Sequence, residues 1–355
     1  VSADTLAMSM EGMDVRLRGA LIGAGCLNRP PTADSTVVIP FGGMLRAEQV
    51  RYTDADSAII RLSDIAARIA LRRYERNAHL PQLNVNADAG RIFFTDRKNF
   101  MGLSKSHFDI NAYIRPKRAR RELTAADSAK IAAMRAGREA ERMMHAGADS
   151  LDLTVSEATG RLLRRLQMSG RLTAERGGMF SPYFPLRNRI SDFDMEFSTD
   201  SLVLHNVRYR CGKSDFTING SVRNIRRALT RGAPIELDWN LHSDSLNVNE
   251  LVQALYVGAD YASRIASGEV KITDAESEAD IDRMAAEAST DSISAVLIPL
   301  NLDARLKVAA DNIVYSDMNM TDFHGELLVS EGALNLHNLR ASSDVGSVNL
   351  NALYS

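Results

Sequence analysis

Residues 45–54 read LRAEQVRYTD, and residues 87–96 read ADAGRIFFTD. Both follow one phrase: an apolar residue, any four residues, Val or Ile, any residue, and then Tyr or Phe. The phrase returns at residues 202–209, LVLHNVRY, and at residues 308–315, VAADNIVY. Each copy lies within alternating apolar and polar residues, the period of a β-strand with one buried and one solvated face. The recurrence predicts a sheet that is extended by repeated addition of one strand unit, with insertions between the units.

Composition and charge are those of an ordinary folded protein. Hydrophobic residues make up 45% and charged residues 25% of the 355 residues, enough for a core. The formal net charge of −2 gives no electrostatic reason to expect a nucleic-acid partner, which calls for a concentrated basic face. No stretch reaches the roughly 18 apolar residues of a membrane span. The chain opens at Val1 without a signal-peptide pattern and ends within an alternating run, so we expect an internal fragment of a longer protein.

Two cysteines, Cys26 and Cys211, are far apart in the chain. One disulfide between them is possible, and two unpaired, partly buried thiols are the favoured interpretation. Such low cysteine use suits a reducing cytosol or a periplasmic protein that does not depend on disulfides.

The pattern along the chain divides it into five segments. Residues 1–116 alternate as strands, and residues 117–148 form a charged helical insertion. Strands resume over residues 149–273, among them a strand run at residues 160–175 and three strands within residues 194–223. In the same segment, Asn249 is predicted to cap a short helix near residues 249–255. Residues 274–292 are an acidic linker, and residues 293–355 alternate again.

No motif in the sequence predicts a catalytic, metal or cofactor site. None of the seven histidines has a partner at the spacing of a helical metal site, and neither a nucleophile elbow nor a phosphate-binding glycine loop is present. Asp54, Asp96 and Asp317 follow the aromatic residue of the phrase. They could suggest Ca²⁺ ligation, but single carboxylates at strand ends favour turn capping. The basic residues 115–121 could contact an acidic partner or lipid headgroups, and a solvated lead-in to the helical insertion is favoured.

Three stretches carry a resemblance to a known family. Residues 197–222 read FSTDSLVLHNVRYRCGKSDFTINGSV, residues 325–339 read GELLVSEGALNLHNL, and residues 244–249 read DSLNVN. The pattern resembles the AsmA family of bacterial envelope proteins, the relatives of TamB. The likeness covers residues 150–355 well and residues 1–115 more loosely, and the two charged insertions depart from it.

The resemblance implies a fold and a function. The fold is mainly β: an elongated, strongly twisted, antiparallel-rich sheet curled into a groove, with helical insertions. The implied protein is not an enzyme and needs no cofactor. It is periplasmic, anchored to the inner membrane by a segment absent from this chain, and carries phospholipids between the inner and outer membranes or supports outer-membrane assembly.

The strand pattern agrees with a groove, because a sheet without covering helices must hide its apolar face by curling, by pairing or by holding lipid. The candidate groove residues are the in-phase apolar positions of the best repeats: Leu202, Leu204, Phe216, Ile218, Leu306, Val308, Leu327, Val329, Leu334 and Leu336. The alternative is that they form the closed core of a β-sandwich.

Three functions remain open from the sequence. The first is a non-enzymatic lipid-transfer or envelope-maintenance protein whose partners are phospholipid acyl chains. The second is an assembly scaffold that offers its sheet edges to outer-membrane proteins. The third is an enzyme acting on envelope polysaccharide, which would need paired carboxylates in a cleft.

Overall fold

A computed structural model describes residues 2–10, 13–26, 40–54, 58–74, 77–96, 99–115, 132–134, 136–137, 153, 155, 157–267 and 298–354. The strands are β1 (Ser2–Met10), β2 (Met13–Cys26), β3 (Phe41–Thr53), β4 (Ile59–Tyr74), β5 (Asn77–Thr95), β6 (Phe100–Ile114), β7 (Leu166–Ser181), β8 (Phe184–Ser198), β9 (Ser201–Cys211), β10 (Ser214–Arg223), β11 (Ile235–Asn247), β12 (Leu302–Tyr315), β13 (Met318–Ser330), β14 (Ala333–Ser343) and β15 (Gly346–Tyr354). The helices with described bounds are α1 (Glu157–Arg165), α2 (Ile225–Arg231) and α3 (Val248–Ser267).

All fifteen described strands form one sheet, and their spatial order is their order in the chain. Every neighbouring pair is antiparallel except β11 and β12, which run parallel and are joined by a long connection that contains α3. The sheet therefore runs without a break through the three predicted β segments. The predicted fold class is confirmed: one long, mainly antiparallel sheet, open at its two edges and curled into a groove, with few helices.

The recurring phrase marks a break in the strand alternation, which the sequence analysis did not recognise. Its first two apolar positions are five residues apart, as in Leu45 and Val50, so strict alternation would place them on opposite faces. The register places both on one face, because Leu45 is opposite Ile22 and Ala67, and Val50 is opposite Leu17 and Leu62. Two consecutive residues between them lie on the other face and restore the phase.

These breaks line up across the sheet. From β2 to β8 the row consists of residues that the regular pairing skips: Gly19, Glu48, Asp64, Gly90, Lys105, Glu175 and Asp192. Gly19, Asp64, Lys105 and Asp192, in alternate strands, have left-handed backbones with φ of 58°, 54°, 52° and 51°. Asn206 in β9 and Asn338 in β14 have the same conformation. Gly, Asn and Asp adopt a left-handed backbone at the lowest energetic cost, which explains why these residue types recur at the breaks. We call the seven skipped residues from β2 to β8 the bulge row.

From β2 to β8 the bulge row keeps the apolar side chains on one face of the sheet, and this face continues through the later strands. This apolar face includes Ile65, Leu103, Ile190, Val207 and Ile313, together with the side chains in register with them. The polar face carries most of the ion pairs, such as Lys105–Glu175 and Arg171–Asp194. Among the described strands, Arg73, at the end of β4, is the one Lys, Arg, Asp or Glu in phase with the apolar face.

Two helices at one end of the sheet were not predicted. The prediction of a strand from residue 160 is wrong for residues 160–165, which belong to α1, whereas β7 begins at Leu166 as part of the predicted run. Residues 160–165, GRLLRR, are mostly Leu and Arg, strong helix formers without β-branching. α2 follows β10 and ends at Gly232, whose left-handed backbone donates its N–H to the Ala228 carbonyl at 3.0 Å.

α3 is longer than the predicted helix and has a different cap. It extends to Ser267 because Ala254, Val257 and Tyr261 recur at helical spacing and are buried. The prediction that Asn249 is the cap is wrong: the Asn247 side chain accepts the Glu250 N–H at 3.0 Å. Asn249 instead accepts the Ser316 N–H at 2.7 Å and thereby ties α3 to the β12–β13 turn.

The predicted insertions lie largely outside the described residues. Within residues 117–148, residues 132–134 and 136–137 are helical. The acidic linker, residues 274–292, lies wholly outside them.

Candidate functional site

The structure places all ten candidate groove residues on the apolar face. In β9 and β10, Leu202 is opposite Val222 and Leu204 is opposite Gly220, while Phe216 and Ile218 are in phase on β10. In β12 to β14, two rows cross the strands: Leu306, Leu327 and Leu336 form one, and Val329 and Leu334 continue the other from Ala304. Val308 is opposite Leu241.

Sequence reasoning missed the strand that joins these two groups. β11 lies between β10 and β12, and its Trp239 is opposite both Gly220 and Leu306. Leu241 is opposite Ile218 and Val308 in the same way. The strict alternation of residues 236–241 was a sufficient signal, because it puts Trp239 and Leu241 in one phase. With β11 included, the candidate residues form one continuous apolar surface over six strands.

The candidate residues are neither core nor fully exposed. Ile218 is buried, at 8% exposure, and the other nine are half-buried. Leu204, Phe216 and Ile218 belong to a cluster with Leu103 and Val207 that extends over neighbouring strands. The described strands form one sheet, so the opposing sheet that a closed sandwich core requires is not among them. What shields these side chains is the curvature of their own sheet and, at one end, a helix.

That helix is α3, which covers the apolar face where β10 to β13 meet it. Val248 and Leu251 pack with Leu246, Ile313 and Phe216. Further along α3, the Tyr261 ring meets the Phe180 ring edge-on at 6.3 Å, and the register puts Phe180 in phase with the polar face at the end of β7. Gly258 lies so close to Tyr183 that an added Cβ would be 2.2 Å from its carbonyl oxygen. α3 therefore covers the apolar face with its first turns and the strand ends with its later turns, and we call this end of the sheet the α3 end.

Polar atoms reach the apolar face at the α3 end. The Tyr209 hydroxyl donates to Asn188 Oδ1, and both side chains are largely enclosed. Cys211 is a free, fully buried thiol, and burial raises its pKa to about 12. Burial also raises the pKa of Tyr209 well above its usual value. A thiol with so high a pKa is not a nucleophile at neutral pH, so this cluster contributes to packing.

The predicted turn capping by the recurrent Asp is observed at Asp96. Its carboxylate accepts the Asn99 N–H at 2.7 Å, which closes the β5–β6 turn. The Asp54 N–H donates to the Ala58 carbonyl at 2.9 Å, and its carboxylate accepts the Thr159 hydroxyl of α1 at 2.8 Å. Asp317 lies in the two-residue turn between β12 and β13.

Titratable groups gather on the polar face. His107 Nδ1 is 2.8 Å from Asp88 Oδ1, and its Nε2 is 3.3 Å from Asp109 Oδ2. The hydrogen bond with Asp88, ahead of the other contributions, raises the pKa of His107. All three side chains are substantially solvated, and this geometry is that of a surface ion pair.

One trio on the polar face brings together metal-type ligands that the sequence does not show as neighbours. His242 and Asp244 of β11 approach Asp311 of β12, because those strands run parallel in register. All three side chains are exposed. Three solvated side chains do not by themselves make a built cation site.

No helix in the described part of the chain combines the length and the apolar character needed to cross a membrane. Comparisons with protein-family models, with curated proteins and with solved structures give no match for this chain.

Proposed function

We propose that this protein is a non-enzymatic envelope protein, similar to the AsmA family, that holds phospholipid acyl chains against the apolar face of its sheet. One observation carries the proposal: an apolar face continues over fifteen strands, and most of its candidate residues are half-exposed rather than packed under a second layer.

The energetics favour an apolar ligand on this face. Each apolar Å² left in water costs about 25 cal/mol, and each methylene removed from water contributes about 0.8 kcal/mol. An acyl chain bound along the face removes both its own methylenes and the apolar surface of the sheet from water. The register keeps the carboxylates and cations of the described strands on the opposite face, so an acyl chain along these strands meets no charge except near Arg73.

The resemblance supplies the rest of the proposal. As in that family, the whole protein is anchored in the inner membrane and spans part of the periplasm. It moves phospholipid between the inner and outer membranes and maintains the outer membrane. The groove requires no cofactor and no covalent chemistry for this role.

The test is native mass spectrometry with lipid extraction on this chain, produced in a bacterial envelope. The variant Leu306→Asp/Val329→Asp places carboxylates on the apolar face of β12 and β13. An ionised group covered by an acyl chain costs on the order of 2 kcal/mol or more, so we expect lipid occupancy to fall at least about thirtyfold.

The matched control is Ala309→Asp/Leu328→Asp, on the same two strands but on the polar face. It should retain lipid as the unchanged protein does. A folded, lipid-free unchanged protein, or equal lipid loss in both variants, would contradict the proposal.

A second candidate function is an assembly scaffold that pairs its sheet edge with a strand of an outer-membrane protein. The observation that favours it is β15, an edge strand of the described sheet. Its sequence, GSVNLNALY, has no proline and no charge, the devices that usually protect an edge. Leu353 is 70% exposed and Val348 is 49% exposed.

Photo-crosslinkers at Val348 and Leu353, with Arg46 on the interior strand β3 as the control position, test this function. Crosslinks from β15 alone to a strand of an outer-membrane protein are expected. Equal crosslinking from Arg46 would count against edge pairing.

A further inference from the structure

Two short helices lie side by side where β6 ends and β7 begins, and Thr159 of α1 also reaches Asp54 in the β3–β4 turn. α1 runs directly into β7, and α2 lies between β10 and β11. The Arg226 guanidinium of α2 reaches the Leu166 carbonyl at 3.5 Å, and the Arg165 guanidinium of α1 donates to the Arg115 carbonyl at 3.2 Å. The ends of β6, β7 and β10 are thus joined through arginines. We call this end the arginine end.

The cationic side chains there face solvent. Six exposed arginines belong to α1, to α2 and to the residue after β6: Arg115, Arg161, Arg164, Arg165, Arg227 and Arg231. The nearby carboxylate of Asp200 already accepts the Arg226 backbone N–H at 3.0 Å at the start of α2. Within the described residues, Arg164, Arg227 and Arg231 have no acidic partner. Positive charge is therefore concentrated at this end of the described sheet, although the whole chain is close to neutral.

The apolar face reaches this same end. Ile114, the last residue of β6, is 45% exposed, and Leu166 is opposite it at the start of β7. On the neighbouring strands, Phe197 and Leu202 are paired on the apolar face a few residues from Asp200. An apolar strip that ends at a row of arginines matches the chemistry of a phospholipid, whose acyl chains join a phosphate.

We propose that the arginine end docks on the surface of an anionic phospholipid bilayer. This inference rests on the proposed lipid-holding function and orients the groove, because the ends of β6, β7 and β10 would face the membrane. Guanidinium groups bind phosphate oxygens with two parallel hydrogen bonds. A bilayer presents many phosphates in a plane, which suits five arginines on two helices and a sixth, Arg115, directly after β6.

The binding experiment uses flotation of this chain with two kinds of vesicle. One kind is phosphatidylcholine alone, and the other is phosphatidylcholine mixed with phosphatidylglycerol. We expect binding to the anionic vesicles that weakens as salt is added, because screening acts over about 10 Å at 0.1 M. The variant Arg164→Gln/Arg227→Gln/Arg231→Gln should bind them at least a hundredfold more weakly, from about fivefold per arginine.

The matched control is Arg46→Gln/Arg91→Gln/Arg210→Gln, which removes three exposed arginines from strands of the sheet. It changes the net charge equally and should bind as the unchanged chain does. Circular dichroism confirms that both variants are folded. Equal binding by the two variants, or equal binding to both vesicle types, would overturn the proposal.

Two further readouts separate this proposal from the function on which it rests. The arginine variant should retain co-purified lipid, whereas Leu306→Asp/Val329→Asp should lose lipid and still bind anionic vesicles. Vesicle binding that disappears with the groove variant would overturn docking through arginines. A single-stranded oligonucleotide could bind more tightly than anionic vesicles and depend on the same three arginines. That result would overturn the proposal, because the partner of the arginine end would be a nucleic acid and not a bilayer.

Discussion

Deletion of Lys105 tests whether the bulge row holds the apolar side chains on one face. Lys105 has a left-handed backbone, and both neighbouring strands also carry two consecutive polar-face residues at this row. Without Lys105, β6 has one polar-face residue at this row, whereas β5 and β7 each keep two. The part of β6 from Phe100 to Ser104 must then shift by one position against both neighbours, and a shift of one residue moves every side chain to the other face.

The expected loss of stability follows from the side chains that this part of β6 buries. Leu103 is 2% exposed, within the cluster that includes Ile190 and Val207, and Met101 packs against the same cluster. Exposing a buried Leu or Met costs about 1.5–3 kcal/mol each. We therefore expect the deletion to lower the free energy of unfolding by about 3–6 kcal/mol, a large part of the roughly 5–15 kcal/mol typical of a domain.

The matched control is Lys105→Gly, which keeps the chain length and the left-handed backbone. It removes the exposed ion pair with Glu175, worth about 0–1 kcal/mol, and relieves backbone strain of similar size. Its stability should stay within about 1 kcal/mol of the unchanged chain. Urea unfolding followed by circular dichroism measures both variants. A deletion as mild as the glycine variant would refute the phase-keeping role of the row.

Three smaller predictions concern single sites. Gly220→Ala should lower the free energy of unfolding by about 2–4 kcal/mol, because its φ is 156° and a Cβ would lie 2.3 Å from the Asp238 carbonyl oxygen. Urea unfolding checks it against Gly102→Ala, whose Cβ meets nothing within 4 Å, and equal effects would contradict the packing argument. The pKa of His107 is raised, so its contribution to stability is complete below about pH 6.5 and is lost as pH rises through the folded-state pKa. An NMR titration should show its midpoint fall in Asp88→Asn, and an unchanged midpoint would exclude that hydrogen bond as the cause. Cys211, with a pKa of about 12, should react with a thiol reagent only as fast as the chain unfolds, and rapid labelling of the folded protein would contradict its burial.

The strands could be predicted from the sequence because each strand has its own alternating run. Of the three strands predicted within residues 194–223, the second and third are close to the observed bounds of β9 and β10, whereas the first covers only the last part of β8, which begins at Phe184. The phase breaks were not recognised, although the five-residue interval in the recurring phrase contains them. The apolar residues of β4 show it directly: Leu62 and Ile65 are three apart with two polar residues between them. A search for this spacing would have found the bulge row.

The helices were harder to predict, because local pattern and tertiary packing compete. α1 is nine residues long and merges into a strand, so no window contains enough turns to show a helical period. The length of α3 depends on Ala254, Val257 and Tyr261 meeting strands that are far away in sequence. The arginine end could not be predicted either, since the 59 residues 166–224 separate α1 from α2, and the two helices meet only through the order of the strands.

The sequential strand order has a consequence for how the protein forms. Each strand needs only its predecessor as a template, so the sheet can grow one hairpin at a time from its first strands as the chain emerges. Among the described strands, two steps must wait. β6 and β7 are joined by residues 115–165, and the parallel strands β11 and β12 are joined through α3 and about thirty further residues. Growth is therefore local within each group of hairpins and pauses twice, each time while a long loop closes. After the second pause it resumes with the three hairpins that follow β12.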